Sequence, residues 1–440
     1  MTRLRQLWYD VRSSFWFLPA FMLTGAIALA LLLIDIDTRL AGDLFSNWPR
    51  LFGAGAEGAR GLLQVIAGSM ISVAGVVFSI TLVALSLASS QYTSRVLRHF
   101  MRDPANQFVL GSFVGIFAYC LIVLRTIRGS DEGSFVPALA VLVGLLLGLV
   151  GIAVLVFFIH HISVSIQASQ ILATVADETL RVIDKLFPAD AGPAADDTDE
   201  PMPAAVPGQG WHPVSAERSG YIEQVDVETL LVFAVGHGAV LRLEHGIGDF
   251  VVEGTAFACV LSAEPPTEAD AARLRAALSV GRTRSLDKDV AFGIRQLADV
   301  ALKALSPGIN DSTTAEMCLD WLGAILLRLA DRPLRARRHG ADGRLRLVDC
   351  GPSYKALANE ALDPVRQNAA GNVSVLTRLF RVLRLVGAHT RLPGRRRVLL
   401  GHAQAAAELA RRSVEAPRDR ARLDALAAQL VAELSLPAPG

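Results

Sequence analysis

Four stretches of this chain are apolar for long enough to cross a bilayer, and all four lie within the first 161 residues. They run from Phe15 to Ile34, from Leu62 to Ser90, from Phe108 to Leu124 and from Val136 to Ile159. A hydrocarbon core about 30 Å thick needs about 20 apolar residues in a helix. The third stretch is short but can be extended back to Pro104. The pattern therefore predicts four transmembrane helices followed by a large soluble part.

The second stretch carries a stripe of small, weakly polar residues, which we call the small-residue face. Its members recur three, four or seven residues apart: Gly68, Ser72, Gly75, Ser79, Ser86 and Ser90. Such a stripe is typical of close helix packing, in which serine hydroxyls bond to the preceding turn or to a neighbouring helix. The alternative is the wall of a water-filled path in an oligomer. Both interpretations predict that this face contacts protein or water, not lipid.

Arginine placement predicts the orientation of the spans. Arginines precede the first span and follow the second, at positions 3, 5, 12, 95, 98 and 102. The positive-inside rule then puts both chain ends in the cytoplasm. Arg125 and Arg128 follow the third span on the predicted outer side and oppose this assignment, although Asp131 and Glu132 offset them. The first stretch lacks a cleavage pattern, which favours an uncleaved anchor.

Composition supports a membrane protein and offers little metal or redox chemistry. The 440 residues have a mean hydropathy of +0.40 and a net charge of +1. The four cysteines form no CxxC pair, so neither a disulfide framework nor a zinc site is expected. His160 and His161 are adjacent and would point about 100° apart on a helix, which favours a headgroup-level pair over a metal site. We predict no metal and no cofactor.

The remaining chain divides by composition into four further parts. We predict a transmembrane domain at residues 1–161, a helical stalk at 162–187, a flexible linker rich in Pro, Ala and Asp at 188–213, a small β module at 214–262, and a mainly helical domain at 263–440 with a β-hairpin near 334–348. The stalk continues the fourth span because apolar and polar residues alternate at helical spacing.

The β module is predicted from short β-prone runs punctuated by glycine. These runs cover 220–225, 230–235, 239–243 and 257–261. Residues 246–255 look like the Gly-Asp-x-Val-x-x-Gly turn of biotinyl/lipoyl-type sandwich barrels, but the matching hairpin has no lysine for a swinging arm. The expected fold class is thus membrane α-helical, with a cytoplasmic α+β region containing a small β-barrel-like module and a helical bundle.

One polar segment of the helical domain is a candidate pocket. It comprises Arg295, Gln296, Asp299, Ser306, Pro307, Gly308, Asn310 and Asp311. In one interpretation local ion pairs and helix caps, with Asp311, Ser312 or Thr313 as the cap, simply fix two helices. In the other, the helix start after Gly308 binds an anion or nucleotide.

Catalysis and nucleic-acid binding are not indicated. Walker A, HExxH, GxSxG and kinase signatures are absent, so we expect no enzyme and name no catalytic residue. The basic runs at 335–339 and 395–397 are short, and a solvated face or contact with anionic lipid explains them better than nucleic acid.

From Tyr354 to Leu434 the pattern predicts helices divided at 368–372, at 392–394 and at Pro417.

Three segments together resemble a known family. They are residues 68–86, Phe292-Gly-Ile-Arg-Gln-Leu-Ala-Asp and Ala304-Leu-Ser-Pro-Gly-Ile-Asn-Asp. The chain resembles, over nearly its whole length, the bacterial predicted membrane proteins called domain of unknown function twenty-two fifty-four. Ser312 stands where the family leads us to expect proline. The resemblance implies an integral membrane protein with a cytoplasmic C-terminal region, and no established activity.

Two roles follow from these patterns. The first is a homo-oligomeric channel- or transport-like protein, with the second span at the central interface and a cytoplasmic domain that gates or assembles it. The second is a non-conducting scaffold or sensor that binds a cytoplasmic ligand or protein. The expected partners are the lipid bilayer and further copies of the chain.

Overall fold

The computed structural model describes residues 16–40, 55–91, 103–128, 135–165, 167–188, 209–284, 286–334, 337–340 and 343–436. These residues form two compact units, Met1–Gln170 and Ile171–Gly440. We call them the membrane unit and the soluble unit. The predicted flexible linker falls mostly outside the described residues.

The membrane unit contains four long apolar helices. They are α1 (Phe17–Leu40), α2 (Ala56–Gln91), α3 (Pro104–Thr126) and α4 (Ala138–Ser165). Each is long and apolar enough to cross a bilayer, which confirms four apolar helices of spanning length. Asp103 caps α3 by accepting the N–H of Ala105 at 2.9 Å, and Pro104 occupies the first turn. The third span therefore begins where its extension was predicted.

The first span is longer than its apolar run. Helix α1 continues to Leu40, so Asp35 and Asp37 lie in the helix and not in the following loop. Asp35 forms an ion pair with Arg39, one turn later in the helix, at 2.8 Å. Asp37 instead bonds to the start of a neighbouring helix. Charged residues extend this helix because each of them has a partner.

Glycines bring the membrane helices together. A methyl group at Gly111 in α3 would lie 3.0 Å from the Cα of Pro19 in α1. One at Gly144 in α4 would lie 2.8 Å from a methyl of Leu63 in α2. Large side chains of one helix thus lie against glycines of the next, as is common in membranes. Helices α3 and α4 each pack against the other three, and α3 has the more extensive contacts with α1 and α2.

The predicted stalk is two helices and not one. Helix α4 ends at Ser165, and α5 (Ala168–Leu186) begins after a break at which the N–H of Gln167 bonds to Val164 O. The Ser165 hydroxyl donates to His161 O at 2.8 Å, and such bonds compete with a regular helix. Helix α5 buries its apolar face in the soluble unit instead of projecting freely.

The soluble unit contains two small open sheets. Their strands are β1 (Gly210–Ser215), β2 (Gly220–Val225), β3 (Val240–Leu243), β4 (Phe250–Val251), β5 (Ala256–Ser262), β6 (Leu278–Gly281), β7 (Arg337–His339) and β8 (Leu345–Val348). One sheet has the order β1-β5-β3-β8-β7 and the other β4-β2-β6. Among these described strands only β3 and β8 pair in parallel, with Leu241 opposite Leu347.

The prediction of a barrel-like module is wrong in two respects. Neither sheet closes on itself within the described residues. The module is also not confined to residues 214–262, because its larger sheet is completed by the hairpin of β7 and β8, some hundred residues later. That hairpin was predicted and is confirmed, with Gly343 at φ 70° in the turn.

One predicted strand is a helix. Residues 230–235 lie in α6 (Val227–Gly236), where Asp226 accepts the N–H of Thr229 at 3.1 Å and its hydroxyl at 2.8 Å. This cap, followed by Glu228 in the first turn, outweighs the β-prone composition. The next helix, α7 (Glu268–Ala276), ends shortly before Leu278, which is the first residue of β6.

The helical part agrees with the sequence pattern. It comprises α8 (Val290–Ala304), α9 (Ser312–Leu329), α10 (Tyr354–Asn368), α11 (Val373–His389), α12 (Pro393–Ser413) and α13 (Pro417–Ser435). Four of them start with a side-chain cap, from Asp289, Asp311, Ser353 and Asn372. The predicted breaks near residues 370, 392 and 417 are confirmed.

Candidate functional site

The small-residue face of α2 is not covered by the other residues that the structure describes. Gly68, Ser72, Gly75, Ser79 and Ser86 are all exposed. Methyl groups at the two glycines would meet no atom within 4 Å. The Ser72 hydroxyl donates to Gly68 O at 2.8 Å, within its own helix. The side chain of Ser90, the last member, lies outside the described residues.

A different face of α2 packs within the membrane unit. It consists of Ala59, Leu63, Ala67, Met70, Ala74, Val77 and Ala84. Its large members lie against glycines of α4, with Leu63 at Gly144 and Met70 at Gly151. The glycines at the contact between α2 and α4 are therefore those of α4. The small-residue face of α2 is left for lipid, water or another molecule.

A carboxylate of the first span holds the start of the fourth. Asp37 is 3% exposed, and it accepts the N–H groups of Leu139 and Ala140 at 3.1 and 3.0 Å. These are free N–H groups of the first turn of α4, so a side chain of one span caps another. The Tyr119 hydroxyl donates to Ala140 O at 2.7 Å beside it. The position of Asp37 after an apolar run gave no signal of this contact.

At the other end of the bundle a histidine pairs with the cap of α3. His161 Nε2 lies 2.5 Å from Asp103 Oδ2, and its ring stacks on Phe157 at 5.6 Å. The Ser165 hydroxyl lies 3.3 Å from the same Nε2. Because serine and aspartate share one ring nitrogen, this is not the relay arrangement of a hydrolase. His160 points away and is exposed, so the two histidines do not converge.

The predicted cytoplasmic pocket divides into two parts. On α8, Arg295 lies 3.5 Å from Asp299 and 3.0 Å from Glu360 of α10, while Gln296 is buried. Ion pairs between helices of this kind position the helices, and the pairing between Arg295 and Asp299 is the one predicted from their spacing. Glu360 is the member that sequence spacing could not reveal.

The second part is the turn between α8 and α9. The N–H groups of Ile309 and Asn310 bond to Ser306 O at 3.0 and 2.9 Å, and Asn310 has a φ of 50°. Pro307 and Gly308 are exposed. The turn is closed by its own backbone bonds, and asparagine tolerates this left-handed conformation better than most residues.

Asp311 is the cap of α9, which settles the three alternatives for that role. It accepts the N–H and the hydroxyl of Thr314 at 3.0 and 2.5 Å, and these bonds lower the pKa of its carboxyl group. A carboxylate therefore already occupies the helix start at which an anion was considered. This argues for a turn that fixes two helices, and against an anion pocket at this position.

The basic run at residues 395–397 is mostly internal. Arg395, 2% exposed, donates to the carbonyls of Leu329 and Ala330 at 2.7 and 3.0 Å. Arg396, also buried, donates to Gly387 O at 2.6 Å. The expected solvated or lipid-contacting face is thus wrong for these two residues, because they satisfy carbonyls at helix ends. Arg397 alone is exposed.

A half-buried ion pair joins the segment after β6 to α8. Arg284 donates to both carboxylate oxygens of Asp289, at 2.7 and 3.0 Å, and Asp289 also caps α8. Burial alone would lower the pKa of the Arg284 guanidinium. The hydrogen bonds and the charge of Asp289 act in the opposite direction, and the pKa is raised. Sequence analysis did not single out this pair.

Metal chemistry finds no support in the part of the chain that the structure describes. Within those residues no group of three or more His, Cys, Asp or Glu side chains could hold an ion. The four cysteines are free thiols, and burial raises the pKa of Cys318. These thiols act as small packing residues.

The comparisons with known proteins agree with this picture. A family described as predicted membrane protein (DUF2254) matches residues 12–385. The chain belongs to this family. Uncharacterised proteins of Mycobacterium tuberculosis (strain CDC 1551 / Oshkosh) and Mycobacterium bovis are each 34% identical over 394 residues, which is 88% of this chain and 74% of theirs. No solved structure matches the chain. Family membership and four apolar helices make this a predicted membrane protein of the DUF2254 family.

Proposed function

We propose that this DUF2254 protein is a homo-oligomeric channel- or transport-like protein of the bacterial inner membrane, with both chain ends in the cytoplasm. The small-residue face of α2 lies at the central interface between copies. The observation that supports this is the exposure of Gly68, Ser72, Gly75 and Ser79 while another face of α2 packs within the chain. Glycine and serine permit close approach of helices and also tolerate water.

The soluble unit is proposed to gate or assemble this interface. Helix α4 ends at Ser165 and α5 begins at Ala168, so a very short connection joins the last span to a helix buried in the soluble unit. Asp184 of α5 pairs with Arg328 of α9 at 3.0 Å and with Arg332, just beyond the end of α9, at 2.8 Å. A displacement of the soluble unit would therefore be transmitted to the inner end of α4.

Flux through reconstituted liposomes tests conduction. We expect Ser79→Leu to reduce ion flux by filling the path, and Ser79→Asp to change its rate and selectivity, since charged rings set ion selectivity in channels. Ser163→Leu and Ser163→Asp are matched controls, because Ser163 is an exposed serine of α4 whose hydroxyl bonds to Ile159 O. Flux that neither change at Ser79 affects would contradict a conducting path.

A non-conducting scaffold or sensor is the second candidate. It is favoured by the Ser72 hydroxyl, which is satisfied within its own helix and needs no water. The exposed turn at Pro307 to Asn310 would then be a surface for a cytoplasmic ligand or protein. Cysteines placed at Ser72, Ser79 and Ser86 separate the two roles. Water-soluble thiol reagents react with a wet wall, and they do not react with a dry packing face.

A further inference from the structure

A groove of about 770 Å³ lies between the first and third spans, at the end of the bundle where α3 ends. Its walls are apolar and consist of Leu31 and Ile34 from α1 and Ile122 from α3. Leu31 is 56% exposed, so the groove is open toward the lipid side of the unit. This volume suits part of an amphipathic molecule, since small-molecule sites hold about 300–1,000 Å³.

The end of the groove nearest the water is basic. Arg125, in the last turn of α3, and Arg128, just beyond it, both line the groove and are exposed. The N–H of Arg128 bonds to Phe135 O at 3.1 Å, which holds Phe135 against the same groove. A guanidinium group donates in a planar fork that matches phosphate oxygens. Two such groups next to an apolar wall suit a ligand with a phosphate and a hydrocarbon part.

The described carboxylates of α1 at this end are already bound. Asp35 pairs with Arg39, and Asp37 is buried against the N–H groups of α4. The threonines at the groove donate elsewhere: Thr38 to Asp35 O and Thr126 to Val123 O, each at 2.7 Å. Among the described residues that line the groove, the guanidinium groups of Arg125 and Arg128 are therefore the donors offered to a ligand.

We propose that this groove binds an anionic phospholipid of the bilayer. Its phosphate lies at Arg125 and Arg128, and the upper part of an acyl chain lies along Leu31, Ile34 and Ile122. A free anion would leave the apolar walls uncovered, whereas a phospholipid satisfies both parts of the site. The proposal also gives a role to the two arginines that oppose the positive-inside assignment, because lipid contact stabilises them wherever they face.

Lipid retention by the full-length protein tests this proposal. The protein is exchanged into vesicles of phosphatidylcholine with a tenth phosphatidylglycerol, re-extracted, and its bound lipids are counted by native mass spectrometry. We expect phosphatidylglycerol to be enriched over its share in the vesicles, and the double change Arg125→Gln with Arg128→Gln to reduce that enrichment about tenfold. Arg39→Gln is the matched control, since Arg39 pairs with Asp35 and does not line the groove.

Two further arms distinguish a lipid site from a site for a free anion. Leu31→Trp narrows the apolar wall without changing charge, and it should displace the bound lipid while both arginines remain. Inorganic phosphate added in excess should leave the enrichment unchanged, because it has no acyl chain. Equal enrichment in the double arginine variant, or full displacement by inorganic phosphate, would overturn the proposal. Thermal unfolding of each variant confirms that these exposed changes leave the fold intact.

Discussion

The second and third spans are equally apolar, yet the chain covers them very differently. Their most apolar windows have mean hydropathies of 2.1 and 2.2, but 22% of the window is buried in α2 and 56% in α3. Hydropathy thus counts the spans and does not tell which surface meets protein. The buried fraction of each helix does show this. It separates positions that hold the chain together from positions left for a partner. The same contrast between covered and uncovered positions recurs in the soluble unit.

The largest effect on stability should come from a glycine to leucine change in the third span, with the same change in the second span as its control. Gly111→Leu in α3 would push against the Cα of Pro19, and backbone cannot move aside as a side chain can. We expect it to destabilise the membrane unit by about 3 kcal/mol or more. In α2 a methyl group at Gly75 would meet no atom within 4 Å, so Gly75→Leu should leave the fold of the single chain unchanged. Unfolding in detergent measures both, and equal losses would erase the contrast between the spans.

Two arginines of one helix repeat the comparison of covered and uncovered positions in the soluble unit. Arg395→Met removes the donors to Leu329 O and Ala330 O, which leaves two buried carbonyls without these bonds. We expect a loss of about 3 kcal/mol in the free energy of unfolding. Arg397→Met, two residues along the same helix, should cost less than about 0.5 kcal/mol because Arg397 is exposed. Denaturant titration followed by circular dichroism gives both values.

Asp37 extends the comparison to a covered charge inside the membrane unit. Asp37→Ala leaves the N–H groups of Leu139 and Ala140 without a cap, which should cost about 2 kcal/mol. Asp35→Ala is the matched control, since that carboxylate is exposed and only pairs with Arg39. An equal effect of the two changes on thermal unfolding in detergent would show that the cap contributes nothing.

The smallest expected effect is a pH dependence of the stability that arises from one buried histidine. Burial lowers the pKa of His402, although Asp363 at 3.6 Å partly opposes this. The unfolded chain therefore binds the proton more tightly, so stability is complete above about pH 6.5 and falls as the pH decreases below it. His402→Gln should flatten the unfolding profile between about pH 5 and 7. His389→Gln, at an exposed position, is the matched control for the loss of an imidazole.

Local signals in the sequence predicted much of the fold. The four spans follow from apolar length, and the helix breaks before Val373, Pro393 and Pro417 follow from asparagine, glycine and proline. Where two local signals conflict, the weaker one misleads: residues 230–235 are β-prone, but the cap at Asp226 makes them helical. The sequence cannot show which of two competing local preferences the tertiary packing supports.

Non-local contacts could not be predicted. The pairing of β3 with β8, the contact of His161 with Asp103 and the cap from Asp37 to α4 each join residues distant in sequence. The buried Arg395 reads as a surface residue because charge is usually exposed, and only the ends of neighbouring helices explain its position. For the small-residue face, the spacing predicted a shared surface, but its exposure in the single chain depends on which face of α2 packs.

Cross-linking through the small-residue face tests most directly whether it meets a second copy. In a chain whose four native cysteines are replaced by alanine, Ser79→Cys is oxidised mildly in native membranes and the products are separated by size. Val150→Cys is the control, at a position of α4 that is 52% exposed. We predict covalent dimers for Ser79→Cys and monomers for Val150→Cys. Monomers for Ser79→Cys, or equal dimers for both, would contradict an interface between copies at this face.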